Sequence, residues 1–167
     1  MSVAGITEPT QFLTFYLATE LFAVDIAKVR EVLEFAKVTK VPRTPEYMLG
    51  VINLRGSVVP VVDMRAKFHL SMQARTVDTC IIIIEVSDED GERMIIGAMA
   101  DSVREVFEFS PDQIDPPPKI GVSLRTDFIQ GMGKFKDQFI IILDTDKVFS
   151  AEDLAADMLK ESKQFDR

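Results

Sequence analysis

The sequence predicts a mainly β protein with short helices, built as a duplicated small unit. Three observations carry that expectation. Val29-Arg30-Glu31-Val32-Leu33-Glu34-Phe35 returns 74 residues later as Val103-Arg104-Glu105-Val106-Phe107-Glu108-Phe109, identical at six of seven positions. Gly50, Asp63 and Phe68 recur with the same spacing as Gly131, Asp144 and Phe149, now at an offset of 81. Each echo follows an apolar, strand-like hairpin, so the order of parts repeats as well as the words. The growth of the offset requires extra residues in the second half, and the loop from Pro116 to Asp127 can hold them. The expected lobes cover about 11–75 and 76–149, with a groove between related units as the place for a function.

The elements follow from local pattern. Phe12–Leu17 and Leu21–Val24 are β-rich runs around Ala18-Thr19-Glu20 and read as a hairpin. Ile26-Ala27-Lys28 is short enough for a helical turn. Val29–Phe35 reads as a strand, because β-branched residues dominate its apolar side. Thr44 can cap a short helix from Pro45 to Leu49 that stops at Gly50. Val51–Arg55 and Val58–Asp63 flank Gly56-Ser57 as a second hairpin. Pro60 has no amide hydrogen, which calls for an edge or a bulge. Met64–Leu70 reads as a helical turn closing the unit. In the second unit Cys80–Val86 and Arg93–Ala100 flank the acidic stretch Ser87–Glu92, where Asp90-Gly91 favours a turn. Phe128–Phe135 and Gln138–Leu143 form the last hairpin. Ser150-Ala151-Glu152-Asp153 starts a C-terminal helix with Leu154, Met158 and Leu159 on one face. The termini, 1–10 and 160–167, are expected to be flexible.

Composition removes several classes of function. The chain has 167 residues, 47% of them hydrophobic and 28% charged, which fits a globular protein. A net charge of −8 disfavours nucleic acid, whose phosphates demand clustered Lys and Arg. One Cys and one His cannot supply a structural zinc site or a disulfide framework. Cys80 opens the run Cys80–Ile84 and reads as a core thiol. No basic segment precedes an apolar one near Met1, and no apolar run approaches the ~18 residues of a membrane helix. The reading is a soluble, cytoplasmic protein without cofactor or metal.

Catalytic candidates are few. His69 lies at the end of a unit without a nucleophile motif, as a surface or capping residue would. Asp63 and Asp144 hold matching places, so an acid pair across a pseudo-twofold is conceivable, but equivalent strand ends call more simply for turn or cap acceptors. Gly131-Met132-Gly133 lacks the third glycine and the helix of a phosphate loop and reads as a β-bulge or a close backbone approach. The acidic turn lacks EF-hand spacing. What remains is surface for binding. Arg55, just before the Gly56 turn, can anchor a carboxylate, either of a partner or of the chain itself. Val29 and Val106, with Gly97, could line a groove between units that receives an apolar helix.

Gly50 to Arg65, G-V-I-N-L-R-G-S-V-V-P-V-V-D-M-R, closely resembles the signature of CheW-type chemotaxis coupling proteins. Supporting likeness extends through Phe12–Phe15, Val24-Asp25-Ile26, Thr44-Pro45 and Gly131-Met132-Gly133, over roughly 11–157. The resemblance implies a single domain of two five-stranded SH3-like barrels packed together. It also implies a non-catalytic cytoplasmic adaptor, located at membrane-associated receptor arrays, between the histidine kinase CheA and the helical-hairpin tips of methyl-accepting chemoreceptors. The positions matching the family's receptor-contact region are Val29, Glu31, Gly50, Arg55, Gly97 and Val106, and Arg55 would act partly by holding the groove in shape. The family's outer barrel faces would pair with the regulatory domain of CheA. Met64 stands where the family usually has Leu, a volume-conserving change, and the acidic turn makes a longer hairpin than some members carry. Two alternatives accompany this reading: a same-type adaptor of another sensory array, such as one for surface motility, and a small acid/base enzyme using Asp63 and Asp144.

Overall fold

In the computed structural model, which describes residues 5–71, 74–88, 90–118 and 126–150, the apolar runs become strands wherever turn residues separate them. β1 (Thr10–Leu17) and β2 (Glu20–Asp25) form the first hairpin, a 3-10 turn spans Ile26–Lys28, and β3 (Val29–Glu34) follows. β4 (Met48–Leu54), β5 (Ser57–Asp63) and the one-turn helix α1 (Met64–Lys67) complete that half. The second half contains β6 (Cys80–Ser87), β7 (Arg93–Ala100), β8 (Ser102–Phe109), the two-residue β9 (Ile114–Asp115), β10 (Ile129–Phe135), β11 (Gln138–Leu143) and α2 (Thr145–Val148).

The sheets do not follow the halves of the chain. One has the order β3-β6-β7-β5-β4 and the other β8-β1-β2-β11-β10-β9. The expected division at 75/76 is therefore corrected: the leading hairpin of each half sits in the sheet of the other. β1 pairs antiparallel with β8 and β2 runs parallel to β11; likewise β6 pairs antiparallel with β3 and β7 runs parallel to β5. The links Ile26–Lys28 and Asp101 carry the chain from one sheet to the other instead of reversing it within a sheet. Because the halves echo each other, each hairpin matches both sets of strands, and pattern alone does not choose between them.

Both sheets curl toward closure. In the five-stranded sheet, Thr39 beyond β3 exchanges two backbone hydrogen bonds with Val51 of β4, at 2.9 and 2.8 Å. In the other sheet β9 performs the equivalent step, pairing with Met132 and Gly133 of β10. This ladder makes a sixth, very short strand where five were expected. Each barrel has its own interior: Ile52, Val59, Val61, Ile81, Ile83 and Met99 in one, and Phe12, Ala23, Phe109, Ile114, Ile140 and Ile142 in the other. A third, larger core lies between the barrels and takes Leu13, Phe15, Phe22, Ile82, Ile84, Phe68, Phe128 and Phe149, among others. The run Ile81–Ile84 is continuous because β6 is buried on both faces, one set of side chains filling a barrel and the alternate set the shared core.

Other local expectations are also corrected. No helix forms over Pro45–Leu49; a single turn, with Met48 N–H donating to Pro45 C=O at 2.9 Å, leads directly into β4. Five residues are too few to repay helix nucleation when the same backbone can pair with β5. Pro60 is on an interior strand, but Val51 opposite it is bonded to Thr39, and the β7 ladder begins only at Val61. No amide hydrogen is needed at that point. Ile6, within the stretch expected to be a flexible tail, is buried against the core of the six-stranded barrel. The C-terminal helix expected beyond Ser150 lies outside the described residues.

Gly50 pins the closure of its barrel. Its φ is +146°, and a Cβ there would sit 2.0 Å from the carbonyl oxygen of Thr39. Replacing Gly50 by Ala combines strain with a backbone clash and should cost about 3 kcal/mol or more. Urea unfolding monitored by circular dichroism will show this as a lower midpoint; an unchanged midpoint would mean that the Thr39–Val51 bridge is dispensable.

Candidate functional site

The seven-residue echo lies on β3 and β8, which are edge strands of their sheets. Each carries a bulge at the corresponding place: register shifts between Val29 and Glu31 against β6, and between Val103 and Val106 against β1. At the second bulge the buried Thr14 hydroxyl donates to Glu105 C=O at 2.7 Å and accepts from Glu105 N–H at 3.1 Å, satisfying the displaced backbone. A bulge bends an edge and re-aims its side chains. Val29 and Val103 turn toward the shared core, while Val32 and Val106, also equivalent by the repeat, stand 43% and 46% exposed. Between these edges lies an open cleft of about 360 Å³, bounded by Val32, Leu33 and Glu34, by Val77–Cys80, and by Ser102, Val103 and Arg104.

The six residues singled out from sequence fall into three groups. Glu31 and Arg55 meet: the Arg55 guanidinium, at the β4–β5 turn, forms a forked ion pair with the Glu31 carboxylate. That hydrogen bond holds the Glu31 carboxyl below its ordinary range and raises the Arg55 guanidinium above its own. Thus Arg55 takes its carboxylate from within the chain, and Glu31 lies one residue before the cleft wall. Val106 is exposed on β8, and Val29 packs against the core behind β3. Gly50 and Gly97 do not reach the cleft. Gly97 is buried in the barrel wall, where a Cβ would sit 2.8 Å from Ile81 Cγ2. Val32 was missed, although its place in the echo is that of Val106.

The remaining candidates take structural roles. Asp63 caps α1 by accepting from Arg65 N–H at 3.0 Å, and Asp144 caps α2 by accepting from Lys147 N–H at 3.3 Å. Each carboxylate serves its own helix. His69 is exposed, with φ +57° at the end of α1. Gly131 follows a bulge in β10, and a Cβ on Gly133 would lie 2.8 Å from the Phe109 ring. In the acidic stretch Asp88 accepts from Glu92 N–H at 2.8 Å and closes a turn. Among the described residues no three His, Cys, Asp or Glu side chains gather closely enough to hold a metal ion, and no helix is long and apolar enough to cross a membrane.

Two buried cations escaped the sequence reading. Arg65 lies beside Asp63, with Nε 3.3 Å from Oδ1, and its Nη1 donates to Asp101 Oδ1 at 2.9 Å. Lys67 Nζ lies 4.5 Å from the Tyr47 ring centroid and 5.4 Å from that of Phe128. A lone charge in a sequence reads as solvent-facing. The only signal of burial was that Arg65 closes the long signature within two residues of Asp63. Cys80, at the floor of the cleft, is buried, and desolvation pushes its thiol up to about 11.

The CheW-like domain family matches residues 11–153, and the chain belongs to that family. It is 34% identical over 153 residues to the chemotaxis protein CheW of Klebsiella aerogenes, covering 92% of this chain and 89% of that one. It is 31% identical to CheW of Helicobacter pylori, over 87% and 84% of the two chains. Its fold matches the crystal structure of the scaffolding protein TtCheW from Thermoanaerobacter tengcongensis with a TM-score of 0.75, at 35% identity and over 86% and 94% of the chains. The fold is accordingly the double SH3-like barrel of that family, and the protein is a chemotaxis scaffold and not an enzyme.

Two measurements check the site's chemistry. Arg65→Ala leaves Asp63 buried without its guanidinium and should destabilise the fold by about 3–5 kcal/mol, seen as a large fall in the denaturation midpoint. The Cys80 thiol has its folded ionisation raised from 9.0 to about 11. The native state therefore holds its proton where the unfolded state has lost it, and this contribution to stability falls as pH rises from about 9 through 11. Near pH 8, alkylation by iodoacetamide should be at least about tenfold slower in native than in urea-unfolded protein. Equal rates would contradict the burial.

Proposed function

We propose that this protein couples the cytoplasmic tips of methyl-accepting chemoreceptors to the histidine kinase CheA, working in the cytoplasm at membrane-associated arrays. The observation that carries the reading is the pair of exposed valines, Val32 and Val106, on two bulged edge strands that border one cleft. An amphipathic helix presents apolar anchors at intervals of three and four residues, and Val32 and Val106 offer such a stripe apolar contacts beside a cleft whose lining is largely polar, with Glu34, Asp78, Thr79, Ser102 and Arg104. Val106 and Val32 would meet the receptor helices. Glu31 and Arg55 would shape the rim, Val29 would support β3 from behind, and Gly50 and Gly97 would act through the barrel. The kinase's regulatory domain would take the outer barrel faces. The protein would transmit state by binding two receptor conformations unequally, which shifts the kinase between activity levels without chemistry of its own.

Membership of the family also suits a same-type adaptor of a different sensory array, such as one for surface motility. Partner identity separates the two readings. Co-sedimentation with purified CheA and receptor-bearing membranes, with autophosphorylation read in the same tubes, decides between them. Recruitment and activation of the kinase that both require this protein support the proposal, and failure of both directs the search to another array's kinase.

Arg55→Glu sets two carboxylates against each other at an exposed rim. It should reduce receptor co-sedimentation several-fold while leaving the thermal midpoint nearly unchanged, since exposed pairs contribute little to stability. A folded variant that binds receptor membranes normally would remove Arg55 from the site.

A further inference from the structure

The two edge strands that border the cleft are each preceded by a clasp, and the two clasps differ in polarity and strongly in exposure. At the base of β8, Asp101 receives the Arg65 guanidinium on Oδ1 at 2.9 Å and the Ala18 amide on Oδ2 at 2.6 Å. At the base of β3, Lys28 meets Asp146 Oδ2 at 3.3 Å, while Asp146 Oδ1 accepts from the Ser87 amide at 2.9 Å. Arg65 and Asp146 occupy the same place, two residues past the capping carboxylates Asp63 and Asp144. Asp101 and Lys28 each immediately precede an edge strand, and Ala18 and Ser87 stand at the outer ends of β1 and β6. Each clasp thus joins a helix of one barrel, a link between barrels and an exchanged hairpin.

Arg65 and Asp146 are equivalent by the repeat and carry opposite charges, each met by a link residue of the other sign, although Lys28 and Asp101 are not themselves matched in the echo. In the first clasp the helix carries the cation and the link the carboxylate; in the second the helix carries the carboxylate and the link the cation. Solvent separates them further. The Arg65 and Asp101 side chains are 4% and 17% exposed, whereas those of Lys28 and Asp146 are 36% and 38% exposed. A charge pair in water is screened by salt and held loosely, while a buried pair is screened much less and leaves an uncompensated charge if it opens. Of the two clasps, the Lys28–Asp146 pair is therefore the more open to salt and solvent.

We infer that the cleft has a fixed wall, β8, and a movable wall, β3, with Lys28–Asp146 as the latch of the movable one. The step Lys28–Val29 leads straight into the strand bearing Val32, so releasing the latch frees the base of that wall without disturbing Asp101 at the base of the other. The inference concerns the width of the cleft whatever occupies it, and it stands or falls separately from the receptor reading.

Amide exchange on the full-length, isotopically labelled protein tests the asymmetry, because Ala18 and Ser87 are comparably half-buried and differ in the clasp that holds them. Raising ionic strength from about 0.02 to about 0.5 M should accelerate exchange at Ser87 by about tenfold while Ala18 changes less than about twofold. Asp146→Ala should do the same at low salt. Spin labels on Val32→Cys and Arg104→Cys, both residues of the cleft lining, in a Cys80→Ala background, read the width directly. The distance distribution across the cleft should broaden with Asp146→Ala and with Lys28→Met, the latter leaving the Ser87 hydrogen bond in place. Two outcomes would overturn the inference: Ser87 and Ala18 accelerating in step, as in opening of the whole molecule, or a cleft distance indifferent to both latch substitutions.

Discussion

The reciprocal exchange of leading hairpins is the constraint on which the rest of this structure depends. β1 and β2 complete the barrel built mainly from the second half, and β6 and β7 complete the barrel built from the first. Strands that would otherwise lie at the edge of one lobe are buried on two faces, one toward a barrel interior and one toward the other barrel. The largest core is accordingly the one between the lobes, with Phe15, Phe22, Phe68, Phe128 and Phe149 meeting in it. Each fully buried side chain of this size contributes about 1.5–3 kcal/mol relative to exposure, so the lobes form one cooperative body. The exchange also sets the cleft: it leaves β3 and β8, the strands on which the chain changes sheets, as the two facing edges.

Polar groups are arranged around that frame. An edge strand offers unpaired backbone, and here each edge is bent by a bulge instead of being presented flat. Where the chain crosses between barrels, carboxylates receive backbone amides and side-chain cations together, so that the junctions carry few unsatisfied groups. Arg65 is the extreme case: its burial is tolerated because Asp63 and Asp101 both face it. The exposed Glu31–Arg55 pair is of another kind, a rim contact whose value lies in shape and in the sign of charge it presents.

Much of this was legible in the sequence. The echo Val29–Phe35 with Val103–Phe109 located the two cleft walls, and the hairpins at both ends of the chain were readable from apolar runs and turn residues. The long segment Gly50–Arg65 carried the family. The hairpin exchange was not legible, because a repeat makes within-half and across-half pairing look alike. The Pro45–Leu49 stretch had the cap residues of a helix, and strand pairing with β5 overrode them. In the site, Glu31, Arg55 and Val106 are placed as surface groups, while Gly50 and Gly97 matter through close packing that spacing cannot reveal. Val32 was available from the repeat itself; Arg65 was not, since burial of a charge depends on partners distant in the chain, such as Asp101.

The crossing of the hairpins also governs how the chain matures during synthesis. The five-stranded barrel has all its strands once residue 100 has been made, but β1 and β2, made before them, have no sheet partners beyond each other until β8 and β11 follow, the last of these ending at Leu143. Until then the hairpin lacks its barrel: Phe12 has no Phe109 beside it, although Phe15 and Phe22 already have each other and Phe68. Long-range pairing of this kind slows folding and prolongs the exposure of sticky strands. That barrel can close only after Leu143 has emerged, which makes the nascent chain, rather than the finished scaffold, the form most in need of chaperone protection.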